Sequence, residues 1–240
     1  MLRPGDEVVA AGQQVTSGKI WDSNKTTLAA LLVQQGIDFV DLGIAKDDSD
    51  NVYNKLVEAF DREVDVLITS GGVSMGEKDV LKRILEVGFE AKIVFGRVNV
   101  KPGKPMSFLT CDWKGSKKLV FALPGNPVSS FVTCFLFVMP AIHHMSGRRA
   151  SGKTLTANHR TMRVLLKTVK PLSLDSRPEF VRGTVSFASD VPEVELTTGS
   201  QCSSRLASAR GANVLVCLPQ KSSSKSQVLP DELVTAILLS

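Results

Sequence analysis

Three segments of this chain combine residue types that bind anions. Thr69-Ser70-Gly71-Gly72-Val73-Ser74-Met75-Gly76-Glu77-Lys78-Asp79 packs three glycines into the six residues from Gly71 to Gly76, just ahead of an apolar helical stripe. Glycine permits positive φ and lets backbone N–H groups come close to a ligand. A helix start adds partial positive charge. That chemistry suits a phosphate group, although the spacing fits neither a Walker loop nor G-x-G-x-x-G. A tight strand-to-helix turn accounts for the glycines equally well. Lys101-Pro102-Gly103-Lys104-Pro105 sets two cations around a stiff turn, where they can converge on one small anion. Leu123-Pro124-Gly125-Asn126-Pro127-Val128-Ser129 is similarly rigid. Pro127 opens a helix, where its missing N–H costs nothing, and Ser129 in the first turn can donate to an anion. A solvated turn and a structural cap are the plain alternatives for these two segments.

Asp47, Glu77 and Asp79 are carboxylates expected on the same rim as the glycine loop. Anions repel carboxylates, and a bound Mg²⁺ would reconcile the two. Mg²⁺ prefers oxygen ligands and bridges carboxylates to phosphate oxygens, and it offsets charge on a leaving phosphate.

The elements that must position these groups alternate between strand and helix over the first 146 residues. Asp22 and Ser23 can cap a helix from about Asn24 to Gln35, which Gly36 stops. Ile37 to Ile44 reads as a strand. Val52, Leu56, Val57 and Phe60 recur at helical spacing between Asn51 and Asp61. Val64 to Ser70 is a strand rich in β-branched residues. Val80, Leu81, Ile84 and Leu85 stripe another helix. Extended segments follow at 91–100, 106–111 and 118–123, then a helix from about Val128 to Met145. This pattern predicts an α/β domain over residues 1–146, a mostly parallel sheet covered by helices with ligands at the carboxyl ends of its strands. A polar linker follows, Gly147 to Lys153. Thr161–Val169, Phe180–Ala188, Val194–Thr197, Val214–Leu218 and Leu233–Leu238 then read as short strands, with a brief helix over Arg205 to Arg210. They predict a small all-β barrel domain over residues 154–240.

Composition narrows the classes further. Of 240 residues, 43% are hydrophobic and 22% charged, values of an ordered globular chain. Residues 1–150 carry 18 basic and 17 acidic side chains; residues 151–240 carry 11 and 7. The second part is mildly basic but has no Lys/Arg stripe with interleaved aromatics, so no nucleic-acid partner is expected. The most apolar run, Val128 to Ile142, falls about three residues short of a membrane span of roughly 18 residues and contains Pro140, so no span is expected. Cys111, Cys134, Cys202 and Cys217 lie far apart and no secretion signal precedes them; they read as reduced thiols of a cytoplasmic protein. His143, His144 and His159 show no ligand spacing.

Ser70 to Asp79, Lys101 to Pro105 and Leu123 to Ser129, in this order and spacing, closely resemble the molybdopterin molybdenumtransferase family: bacterial MoeA-like proteins and the gephyrin E domain. Gly5-Asp6-Glu7, Asp22-Ser23-Asn24, Leu42-Gly43-Ile44 with Asp47-Asp48, Arg177-Pro178-Glu179-Phe180 and Ser203-Ser204-Arg205-Leu206 agree. The resemblance runs from about Gly5 to Leu238 and looks closer to the gephyrin-like eukaryotic members. It implies a MogA-like molybdopterin-binding α/β domain followed by a β-barrel. It implies a molybdotransferase of molybdenum cofactor biosynthesis that inserts molybdate into adenylylated molybdopterin, releasing AMP with help from a divalent cation, usually Mg²⁺. Glu7, Asp47, Asp79, Pro124 and Pro127 match residues implicated in catalysis, and Asp47 and Asp79 would hold the metal. Ser70, Gly71, Gly72, Ser74, Gly76, Glu77, Gly125 and Asn126 would line the substrate site. Lys101, Lys104 and Ser129 would form the oxyanion site, with Arg177 and Ser203 or Ser204 also handling molybdate. Some relatives lack the lysine matching Lys104.

The resemblance also implies a homodimer in the full-length family and a separate adenylyltransferase domain as a partner. Family members carry about two further domains before the segment matching Gly5, so the chain corresponds to the C-terminal half, and on its own it is expected to bind ligands but turn over poorly. Two alternatives come with the resemblance. One is a gephyrin-like scaffold, although Leu218-Pro219-Gln220 lacks the second proline expected there. The other is a molybdopterin adenylyltransferase, which the appended β domain and the Lys101–Pro105 and Pro124–Pro127 segments disfavour.

Overall fold

A computed structural model describes residues 1–72, 80–148 and 158–239. They form two compact units, 1–98 with 103–134, and 99–102 with 135–240.

In the first unit, β1 (Arg3–Pro4) is followed by a parallel ribbon of β2 (Val8–Val9) and β3 (Ile20–Trp21). α1 (Ser23–Gln34) starts where the Asp22 carboxylate accepts the Lys25 N–H. It buries Leu28, Leu31 and Leu32. β4 (Ile44–Ala45) precedes α2 (Ser49–Asp61), which the Asp48 side chain caps by accepting from the Asn51 N–H. Such caps are worth about 1 kcal/mol each. β5 (Val66–Ser70), α3 (Val80–Gly88), β6 (Lys92–Gly96), β7 (Ser107–Trp113), β8 (Ser116–Leu123) and α4 (Pro127–Thr133) complete the unit.

The main sheet has the order β5-β8-β7-β6. β5 and β8 run parallel, and β7 is antiparallel to both of its neighbours. The antiparallel side follows from the Lys114-Gly115 turn, whose φ values of 51° and 80° are those of a two-residue hairpin. On the other side Leu2 bridges Thr69 in parallel, and β1 pairs in parallel with β4. The carboxyl ends of β4, β1, β5 and β8 therefore open on one rim. Val52, Leu56 and Phe60 of α2 and Leu81 and Leu85 of α3 pack on Leu67, Leu109 and Val120 of the sheet. Each such buried side chain contributes about 1.5–3 kcal/mol. Phe89 bridges Tyr53, Phe60 and Trp113, with ring centroids 5.1–5.4 Å apart.

The second unit takes up the chain at Phe135, in a π-helical turn (Cys134–Val138) that leads into α5 (Met139–Met145). Five of its strands close a barrel: β9 (Thr161–Lys167), β11 (Glu179–Ser186), β12 (Glu193–Leu196), β13 (Val214–Leu218) and β15 (Leu233–Leu238), in the order β11-β12-β9-β15-β13. β10 (Leu172–Ser173) and β14 (Gln227–Val228) pair beside it. Val164, Leu166, Val181, Val185, Val194, Val214, Val216, Val234 and Ala236 alternate inward and fill the barrel. Closure leaves these strands no free edge.

The five barrel strands and the helical stripes fall within two or three residues of their expected bounds. Ile37 to Ile44 does not form the expected strand; only Ile44 and Ala45 enter a ladder. Asp41 accepts the Gly43 N–H at 2.8 Å and Gly43 takes a φ of 71°, which turns the chain. Pro127–Met145 is long and apolar enough to cross a membrane by length and composition alone, but 56% of its apolar stretch is buried inside the chain, as in the core helix of a folded domain. Most of the expected linker, from Arg149 onward, lies outside the described residues.

Candidate functional site

On the rim of the first unit the backbone is tied strand to strand. Gly5 N–H donates to Ala45 C=O at 3.1 Å, Ser70 N–H to Leu2 C=O at 3.2 Å, and Gly71 N–H to Leu123 C=O at 3.0 Å. Asp6 and Asp47 exchange bonds: Asp6 N–H donates to Asp47 Oδ2 at 3.2 Å, and Asp47 N–H to Asp6 Oδ1 at 3.3 Å. Gly71 and Gly72 take φ values of 90° and 70°, which only glycine adopts without strain. Pro4, Gly5, Glu7, Asp47, Val52, Gly72, Val80 and Leu81 line a cavity of about 370 Å³.

Two buried polar side chains hold this rim together. Asn24, on the first turn of α1, donates from Nδ2 to Ser70 Oγ at 3.0 Å and to Gly125 C=O at 2.8 Å. It thereby joins the end of β5 to the Pro124–Pro127 turn. Arg3, on β1, donates from Nη1 to Ser70 C=O and from Nη2 to Glu7 Oε1 at 3.1 Å. Pro124 is buried, Gly125 and Asn126 are exposed, and Pro127 occupies the first turn of α4. Ser129 is buried, and its carbonyl accepts the Thr133 hydroxyl at 2.7 Å.

Of the residues singled out by sequence, Glu7, Asp47, Ser70, Gly71, Gly72, Pro124, Gly125, Asn126, Pro127 and Ser129 belong to this rim and the helix behind it. Ser74, Gly76, Glu77 and Asp79 lie outside the described residues. Lys104 is exposed on the first unit, whereas Lys101 belongs to the second.

In the second unit Lys101 is paired in parallel with Glu179 at the start of β11; Lys101 N–H donates to Pro178 C=O at 2.9 Å. The Lys101 ammonium lies 3.1 Å from Asp175 and 3.2 Å from Glu179, and Arg177 Nε lies 3.1 Å from Asp175. The Arg177 guanidinium holds the Asp175 carboxyl well below the usual carboxylate range. Partial burial acts to lower the Lys101 pKa, but the hydrogen bonds and charges of Asp175 and Glu179 outweigh it and raise it above the ordinary lysine value. The expected oxyanion cations Lys101 and Arg177 thus meet through a shared carboxylate. Ser203 and Ser204 follow Gln201, whose amide clasps the backbone of Arg182 on β11, accepting its N–H at 2.9 Å and donating to its C=O at 3.2 Å. Arg182 is fully buried, donates to Ser208 Oγ at 2.9 Å, and has its pKa lowered to about 10 by desolvation.

Arg3, Asp175 and Arg182 were not singled out by sequence, and Asn24 and Glu179 were named only as parts of matching segments, with no role. A polar residue at the first turn of a helix and an arginine beside an acidic dipeptide are weak signals, because caps and surface pairs look the same.

Residues 5–144 match the family MoCF_biosynth, described as a probable molybdopterin binding domain, and residues 166–239 match the MoeA C-terminal region, domain IV. The chain belongs to the MoCF_biosynth family. It is 41% identical over 239 residues to the molybdenum cofactor synthesis protein cinnamon of Drosophila melanogaster, covering 100% of this chain and 38% of that protein. It is 37% identical over 250 residues to gephyrin of Dictyostelium discoideum, covering 92% of this chain and 34% of that one. The chain thus spans between a third and two fifths of these relatives. The MoeA protein of Pyrococcus horikoshii shares its fold, with a TM-score of 0.73 at 24% identity over 100% of this chain and 53% of that one. The family match takes in every rim residue named above except Leu2, Arg3 and Pro4.

Proposed function

We propose that this chain serves molybdenum cofactor biosynthesis as a molybdopterin molybdotransferase, binding adenylylated molybdopterin on the rim of the first unit and releasing AMP as molybdate is inserted. The observation that carries this reading is the meeting of Gly5 to Glu7, Asp47, Ser70 to Gly72 and the Pro124–Pro127 turn at the carboxyl ends of parallel strands, where Gly5, Glu7, Asp47 and Gly72 line a cavity. Ligands bind at such strand ends in open α/β sheets. The names of the cinnamon protein and of bacterial relatives called molybdopterin molybdenumtransferase support it.

In this reading a phosphate group occupies the cavity that Gly72 lines beside Gly5. Glu7 and Asp47 flank the cavity as carboxylates able to accept a proton from a water whose oxygen bonds to phosphorus as AMP leaves. Release of AMP breaks a phosphoanhydride bond, and orienting the two reacting groups on a rigid rim is the main contribution these residues can make. In the second unit an incoming oxyanion competes with Asp175 and Glu179 for Lys101 and Arg177. Among the described residues no group of three His, Cys, Asp or Glu side chains could hold a metal ion, and Asp79 lies outside them.

The test is incubation of the full chain with purified adenylylated molybdopterin and molybdate, with AMP measured by chromatography. AMP release that depends on molybdate supports the proposal. Turnover of molybdopterin with ATP alone would replace it with adenylylation, and binding without any release would leave a carrier or scaffold.

A further inference from the structure

Arg3 is 6% exposed, yet its charge lies at the centre of the rim. A Cβ at Gly71 would overlap Arg3 Nη1, and one at Gly125 would come within 3.7 Å of it. The glycines of two loops thus leave the space that the guanidinium fills. Its two amino groups reach Ser70 C=O and Glu7 Oε1, while Nε–H finds no partner. Arg3 and Ser70 also line a cavity of about 10 Å³, room for roughly one water.

We propose that Arg3 is a positioning residue of the substrate site: it sets the Ser70–Gly72 turn and the Glu7 carboxylate in the arrangement that receives a phosphate group. This deepens the proposed function and rests on it for the identity of the ligand. The planar fork suits the task, because one rigid group bonds a carbonyl and a carboxylate that belong to different strand ends. A lysine gathers its three donors on one nitrogen and lacks the planar fork that reaches the two acceptors from separate nitrogens. A buried arginine with an unmet donor is costly unless its charge is used. Here it pairs with Glu7, which lines the larger cavity together with Gly72.

The experiment compares the full-length parent with Arg3→Ala and Arg3→Lys, using AMP as the ligand probe. Hydrogen exchange of the Gly71 amide is measured without ligand, alongside AMP affinity by calorimetry. In Arg3→Ala, Gly71 exchange should speed up and AMP binding weaken by about tenfold each, the loss expected of a charge-assisted hydrogen bond. Low concentrations of guanidinium chloride should restore both by filling the vacated space, and equal potassium chloride should not. Arg3→Lys, which keeps the charge and the fold, should recover less than guanidinium does.

Unchanged Gly71 exchange and AMP affinity in Arg3→Ala would overturn the proposal. So would defects that guanidinium relieves no better than potassium, which would make Arg3 a general support of the fold. If the parent binds no AMP, the ligand assignment under the proposed function fails, and Gly71 exchange with guanidinium rescue still decides the role of Arg3.

Discussion

Asn24→Ala removes a side chain that joins the end of β5 to the Pro124–Pro127 turn. Two hydrogen bonds are lost, at 3.0 and 2.8 Å. Ser70 is buried, so its hydroxyl cannot recover a water partner cheaply, whereas the exposed Gly125 carbonyl can. A net loss of about 1 kcal/mol for the Gly125 bond and about 1–2 kcal/mol for the stranded Ser70 group gives roughly 2–3 kcal/mol. With a urea slope of about 1–3 kcal/mol per M, the midpoint falls by about 0.7–3 M. The assay is clean because both tryptophans, Trp21 and Trp113, belong to the first unit. Trp113 packs on Phe60 and Phe89 and donates to Asp61 at 2.8 Å, so its fluorescence reports core unfolding there. Asn24→Asp should cost at least as much, since a carboxylate would face the Gly125 carbonyl. A tryptophan midpoint within about 0.3 M of the parent in Asn24→Ala would refute the accounting.

Three further outcomes follow from the second unit. Gly183→Ala should destabilise the barrel by about 1–3 kcal/mol through overpacking, because a Cβ there would come within 2.7 Å of Val194 Cγ2 and 3.0 Å of Glu195 C=O; equal thermal midpoints would contradict this. The depressed Asp175 pKa means its stabilisation is present above the unfolded value of 3.8 and lost as pH falls below it. Circular dichroism melts of parent and Asp175→Asn should therefore differ at neutral pH and converge in acid; a gap independent of pH would speak against the Arg177 and Lys101 pairings. Ellman's reagent at neutral pH should modify Cys202 first: it is exposed, and a hydrogen bond with Ser204 lowers its pKa, while burial pushes Cys217 up to about 12 and Cys134 up as well. A fast phase that survives Cys202→Ser would show that another thiol is open.

Periodicity carried the architecture. The stripe of Val52, Leu56 and Phe60 and the barrel strands from Thr161 to Leu238 were legible because burial repeats along one element. The rim was legible from the glycines and prolines, since strand ends in an α/β sheet share a side. Ile37 to Ile44 misled because its apolar content looks like a strand, while one Asp41–Gly43 turn decides otherwise. The partners of the buried polar residues were beyond reach for a different reason. Asn24 meets partners 46 and 101 residues away, and Arg3 meets Ser70 across 67. Nothing local distinguishes such residues from a solvated cap or a surface charge. Likewise Lys101 reads as a free cation until Asp175 and Glu179 are seen beside it.

The most direct measurement is amide chemical-shift mapping of the full chain with adenylylated molybdopterin. The account predicts saturable shifts at Gly5, Glu7, Asp47, Ser70, Gly71, Gly72, Gly125 and Asn126. Shifts confined to the barrel or to the exposed faces of the helices, with those rim amides unmoved, would contradict it.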